Sequence, residues 1–332
     1  MASIVREVDL CIREIDQIGK SKREARKKNI KAIHGKRQKQ HTRSDSRNFA
    51  KWVRSEYGIK HLHQLSEEHY KSYLKYLEQR GISAGHRRNV ETSLRLLQEG
   101  LNKRSERFGK EKVQFTPKKR ITPSIKRGEG ARNRSYTNQE IKALEKYISP
   151  SVRDSVALMR NLGLRVEEST LVRVEHFDLR AGKMIIPEGE TVTKGGRFRV
   201  VPIPEHFKSH LEKMLDGKQP HERLVNVTEK TVRNGVNVGF KKAGIEQKGR
   251  GCHGFRHTYA RERVAMLMTE QEKKLFDRCL DRYLEGKRAD YGIFKPEQRE
   301  LYNSMKKKMD QVHGELGHGK NRFDLAVRYM KN

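Results

Sequence analysis

Apolar residues recur at helical spacing through the first third of the chain. Ile4, Val8, Cys11, Ile12, Ile15 and Ile18 predict an amphipathic helix over residues 3–19, whose stripe needs a partner in the next domain or another subunit. Phe49, Trp52, Val53 and Tyr57 mark a second helix. Tyr70, Tyr73, Leu74 and Leu77 mark a third, with Ser66 as its N-cap. Val90, Leu94, Leu97 and Leu101 mark a fourth, after a turn at Gly81–Gly85. The last three predict a small helical bundle over 45–108 with a basic exterior and an aromatic core.

Periodicity then stops. Residues 109–134 mix prolines, glycines and bases without an apolar stripe, which predicts an extended linker. Thr137 and Glu140 form a capping box that opens a further helix, followed by another over 151–163. Between 176 and 203 the pattern turns strand-like, with Gly195–Gly196 placed for a tight hairpin turn. Helices resume near 204–215, 228–242 and 253–267. The expected fold is mainly α with one small antiparallel β-sheet. Its parts are a basic N-terminal helix and arm (1–41), a helical domain (42–112), a basic linker (113–134) and a second domain (135–332). Two domains on a basic strap suit a C-shaped clamp around a duplex.

Charge supplies the duplex. Lys and Arg outnumber Asp and Glu by 74 to 42, a net charge of +32, and so strong a field draws phosphate backbones. A ribosomal or chromatin-type basic protein would carry the same charge. Eleven Lys/Arg against Glu24 alone between Lys20 and Arg43 read equally as a solvated tail or a backbone-contacting arm. Lys36, Arg37, Arg43, Arg87, Arg88, Lys118, Lys119, Arg120 and Arg197 are the candidate DNA contacts. Cys11, Cys252 and Cys279 make no CxxC pair, which fits a reducing compartment and no cysteine-built zinc module. No apolar run approaches the roughly 20 residues of a membrane span, and MASIVREVDL lacks the apolar core of a secretory signal. The expected location is the cytoplasm, with the nucleoid of a bacterial or phage-type system.

Breaking a phosphodiester requires cations to clamp its oxygens, an oxygen nucleophile and a proton for the leaving oxygen. No paired-acid motif for a metal is evident, so clamping by basic side chains is expected, with no cofactor. Arg165 follows an apolar helix and a glycine in LGLRVEES. His253 and Arg256 in HGFR share a helix face at i and i+3. Lys194 sits at the predicted hairpin tip, and His318, between glycines, precedes Tyr329 by eleven residues. Each alone is weak: a surface arginine, a chance HxxR, a turn lysine, a packed terminal tyrosine.

Their order changes the weight. GLRVEES, TKGGRFRVVPI, HGFRHTYA, ELGH and a late tyrosine resemble, in sequence, the elements of the tyrosine recombinase (phage integrase) family, most like the integrases of mobile elements. The resemblance spans about 137–332, with 42–108 more loosely like the family's core-binding domain. It implies a site-specific recombinase with Tyr329 as nucleophile, Arg165, Arg256, His253 and His318 holding the phosphate, Lys194 as general acid and Glu168 as buried support. It further implies a 3′-phosphotyrosyl intermediate, a Holliday junction, double-stranded recombination sites, a homotetramer on DNA, and accessory DNA-bending or directionality factors. Two departures stand out. The 61 residues between Arg256 and His318 include an extra helical stretch from Met268 to Gln311, and only three residues follow Tyr329, so the exchange of a following helix between subunits is not expected. The competing readings are a type IB topoisomerase-like relaxase and a non-catalytic basic DNA-binding protein.

Overall fold

The computed structural model describes residues 3–193 and 196–331. The chain divides into two compact units, Met1–Lys126 and Arg127–Asn332.

The first unit is helical: α1 (Ile4–Glu14), α2 (Lys22–Lys27), α3 (Lys36–Tyr57), α4 (Glu67–Gln79) and α5 (Ala84–Arg107). Ile4, Val8, Cys11 and Ile12 are buried on α1, which packs against α3 and α5 of its own unit. The approach is close: a Cβ on Gly100 of α5 would lie 2.2 Å from the Cys11 carbonyl oxygen. The expected arm over 1–41 is therefore corrected, because its helix is core and a boundary at 41 would cut through α3. Nor is the basic run a tail. Ser21 caps α2, a parallel bridge joins Asp16 to Ile33, and Ile33 is fully buried. One isoleucine anchors the loop, and a single residue leaves no periodicity to read.

The linker also begins later than expected. Phe115 is fully buried in the first core, and the Thr122 N–H donates to the buried Glu91 carboxylate at 2.6 Å. Ser66 caps α4 as predicted, through a capping box completed by His69 rather than by an acid.

The second unit runs α6 (Asn138–Glu145), α7 (Pro150–Leu162), α8 (Val166–Ser169), β1 (Phe177–Asp178), β2 (Lys183–Ile186), β3 (Arg199–Pro202), α9 (Glu205–Leu215), α10 (Glu229–Lys242), α11 (His253–Leu267), α12 (Glu270–Leu284), α13 (Pro296–Glu315) and α14 (Phe323–Tyr329). The Thr137–Glu140 capping box forms. The three strands make one antiparallel sheet in chain order, Met184 facing Val201. Residues 187–198 join β2 to β3, longer than the tight turn expected at Gly195–Gly196; the Gly189 N–H donates to the Gly196 carbonyl at 2.7 Å. Lys194 and Gly195 lie outside the described residues.

The extra stretch from Met268 to Gln311 is no padding. Phe276, Cys279, Leu280, Met305 and Met309 are buried in the main core, and α12 and α13 pack on each other. Glu272, nearly buried, accepts from Lys308 Nζ at 2.6 and 2.8 Å and from the Ser304 hydroxyl at 2.7 Å. Helix α14, which carries Tyr329, rests on α12 and α11.

Candidate active site

The site is assembled around one carboxylate. Helix α7 ends at Gly163, whose φ of +61° turns the chain where an added Cβ would meet the Tyr259 ring at 2.5 Å. Two residues on, Arg165 caps α8: its backbone N–H donates to Glu168 Oε2 at 2.8 Å and its Nη1 to Oε1 at 2.6 Å. Arg199 reaches the same carboxylate from β3 with a two-pronged contact at 2.9 and 2.8 Å. Arg256 Nη1 lies 3.8 Å from it. Burial alone would raise the Glu168 carboxyl, but Arg199, then Arg256 and Arg165, hold it at about 2.

Arg199 and Glu168 are both almost fully buried and neutralise each other. Arg165 and Arg256 are thus left as surplus positive charge. Arg165 is about a third exposed, whereas Arg256 is wholly buried. Arg256 donates to the carbonyls of Gly163 and Leu316, and its Nη2 lies 3.3 Å from His318 Nε2. Burial and the neighbouring Arg165 lower Arg256 to about 9, so it stays charged at neutral pH.

Tyr329 meets this cluster through histidines. Its hydroxyl lies 2.7 Å from His253 Nε2. His253 and Arg256 share the first turn of α11, one facing the phenol, the other the carboxylate. His318 lies tilted 5.2 Å from the phenol ring, and His257 stacks on its face at 4.4 Å and 16°. Burial, then the charge on Arg256, lowers His253 to about 4 and His318 to about 2. Burial, then His253, lowers His257 to about 3. The imidazoles are therefore neutral at pH 7, and His253 can accept the phenol's proton. Tyr329 is 8% exposed: its ring is buried while its hydroxyl points into the polar cluster.

The structure thus gathers Arg165, Glu168, His253, Arg256, His318 and Tyr329, while Lys194 lies outside the described residues. Sequence reasoning missed Arg199 and His257, though both left a signal. Arg199 shares its strand face with the inward Val201, and a buried face carrying arginine demands an acid. His257 stands four residues after His253, on the same helical face. Behind the site, Tyr259 and Arg263 bind the nearly buried Glu315, fixing α11 to the end of α13 just before His318. Among the described residues, no group of three or more His, Cys, Asp or Glu converges as a metal site would need, and no helix is long and apolar enough to cross a membrane.

Several candidate DNA contacts are engaged within the first unit. Arg43 pairs with Asp9, Arg87 with Glu78, Arg88 donates to the Thr122 carbonyl, and Arg120 donates to the Arg88 carbonyl and Thr92 hydroxyl. Lys36, Arg37, Lys118 and Lys119 are exposed. Lys118 and Arg120 line a cavity of about 560 Å³ with Lys22, Arg26, Lys31 and Arg95. In the second unit, Arg197 lies near the Gly317 carbonyl at 3.4 Å.

Residues 134–268 match the phage integrase family. Over 140 residues the chain is 29% identical to the tyrosine recombinase XerA of Thermococcus kodakarensis, a match covering 38% of this chain and 47% of that protein, so the chain spans about half the length of this curated relative. Among solved structures it is similar in fold to the XerH site-specific recombinase bound to difH substrate, with a TM-score of 0.54, 15% identity, and coverage of 88% of this chain and 76% of that one. It is similar also to a lambda integrase tetramer bound to a Holliday junction, with a TM-score of 0.50, 15% identity, and coverage of 85% and 76%.

Proposed function

We propose that this protein is a tyrosine recombinase of the phage integrase family, which residues 134–268 match, and that it is a site-specific DNA recombinase cutting and rejoining strands through Tyr329. The observation that carries the proposal is the short contact between the Tyr329 hydroxyl and a neutral His253, beside two arginines whose charge Glu168 does not cancel.

Arg165 and Arg256 hold the non-bridging oxygens of the scissile phosphate, and His318 adds a donor once DNA excludes water. The phenol oxygen bonds to phosphorus as its proton passes to His253 Nε2. The bond to the 5′-oxygen breaks, and Lys194 protonates the departing alkoxide, leaving a 3′-phosphotyrosyl link and a free 5′-hydroxyl. Attack by the 5′-hydroxyl of a partner strand reverses the step. The covalent link keeps the phosphodiester's energy, so strand exchange needs no nucleotide hydrolysis. Tyr329 meets His253 of its own chain, which supports each subunit using its own tyrosine.

Double-stranded sites, a tetramer passing through a Holliday junction, and integration or excision of a mobile element belong to this reading. The basic cavity of the first unit supplies charge for the DNA backbone. The test is a nicked suicide duplex carrying the target site. The wild-type chain is expected to become covalently attached and Tyr329→Phe is not; an adduct that persists in Tyr329→Phe removes the nucleophile.

A further inference from the structure

We propose that His257 is a positioning residue for Tyr329: its flat imidazole sets the plane of the phenol ring and so aims the hydroxyl at His253. This rests on Tyr329 being the nucleophile, and the test separates the two claims.

The geometry carries the argument. Two of the three imidazoles around Tyr329 meet it at steep angles, His253 at 69° and His318 at 59°. Only His257 covers a ring face, at 4.4 Å and 16°. That contact controls something the hydrogen bond alone does not. The phenol oxygen lies on the axis about which the ring turns, so rotation leaves the oxygen in place. The O–H bond, however, lies in the ring plane because an oxygen lone pair conjugates with the ring. The ring plane therefore decides where the proton and the attacking electron pair point. Rotation about that axis is intrinsically soft, and a stacked partner stiffens it.

His257 suits this duty better than an acid–base one. It is 3% exposed and its Nδ1 has no hydrogen-bond partner among the described residues. Burial, His253 and the charges of Arg134, Arg261 and Arg256 keep the ring neutral. It offers Tyr329 a flat face and no charge.

The experiment compares wild type, His257→Ala and His257→Phe for the single-turnover rate of adduct formation on the nicked suicide duplex, alongside DNA affinity, thermal unfolding and the pH–rate profile. His257→Ala is expected to slow adduct formation on the order of a hundred-fold with DNA affinity unchanged. His257→Phe, which keeps a flat ring, is expected to return the rate to within a few-fold with the pH profile unmoved. If His257→Ala does not fold, His257→Leu, which fills space without a flat face, takes its place with the same expected slowing. An Ala or Leu variant reacting at the wild-type rate overturns the proposal alone. So does a Phe variant as slow as Ala or with a shifted pH limb, since a ring nitrogen would then be the active feature. A wild-type chain that forms no adduct, or a Tyr329→Phe chain that does, overturns the nucleophile reading and this proposal together.

Discussion

At Glu168 a single carboxylate balances buried positive charge from two directions. Glu168→Gln keeps the shape and deletes the charge, leaving Arg199 buried without its counter-ion beside the already surplus charge of Arg256. The expected cost is about 3–5 kcal/mol, read as a large fall in melting temperature together with lost cleavage. Glu168→Gln combined with Arg199→Met is expected to recover much of the stability, because a buried pair removed whole costs far less than one broken; equal instability in single and double variants would contradict this. Arg165 is different in kind. Being partly exposed, its change to Ala is expected to leave DNA binding near wild type and lower cleavage by several orders of magnitude, measured as adduct yield at saturating duplex. The residues proposed to react were legible because motif order marks them: Arg165, His253, Arg256, His318 and Tyr329 stand in segments of recognisable spacing. The residues that hold them were not. Arg199 sits among valines in a strand whose surroundings only the fold supplies, and the burial of Tyr329 depends on histidines from two distant places in the chain, α11 and the turn after α13.

Among elements, the amphipathic helices of the first unit could be read from their stripes, but what each stripe faces could not. The α1 stripe meets α5 at Gly100, and nothing local distinguishes that glycine from one in a turn. Gly100→Ala is expected to destabilise the first unit by about 1–3 kcal/mol or more, seen as a lowered denaturation midpoint, since its methyl would collide with the Cys11 carbonyl. The stretch from Met268 to Gln311 is legible as extra and helical; its role is not, because its apolar residues find partners in distant parts of the chain. Met305 and Phe276 are almost wholly buried, and Met305→Ala is expected to cost about 2–5 kcal/mol by thermal unfolding, with cleavage falling as the bed beneath α14 loosens. Lys331 pairs with Asp281 of α12, and the Lys331 carbonyl accepts from Arg261, so α14 is fastened on both sides.

Across the whole molecule, acid is the expected weakness. His253, His257, His313 and His318 are all lowered by burial, to about 4, 3, 4 and 2, against about 6.5 when unfolded. Below pH 6.5 the unfolded chain therefore binds protons that the folded chain refuses, and stability falls as pH drops toward 4. Glu168 and Glu272, both held at about 2, add to the loss only below about 4.5. Melting temperatures from pH 7.5 down to 5 are expected to decline; a flat profile would mean that the histidines reach water. The net charge of +32 predicts steep weakening of DNA binding as salt rises, with each lost phosphate contact reducing the slope of log affinity against log salt by roughly one. Lys118→Ala is expected to show that reduction while bound complexes still cleave at the wild-type rate.

That last contrast follows from where the unit boundary falls. Arg165, Glu168, Arg199, His253, His257, Arg256, His318 and Tyr329 all lie after Lys126, so the proposed bond-breaking residues and the basic cavity of residues 1–126 are written in separate lengths of chain. Grip and cut can therefore vary apart: removing positive charge from the cavity lining is expected to loosen attachment to any duplex alike, while the proposed phosphotyrosine step, once the duplex is bound, keeps its pace.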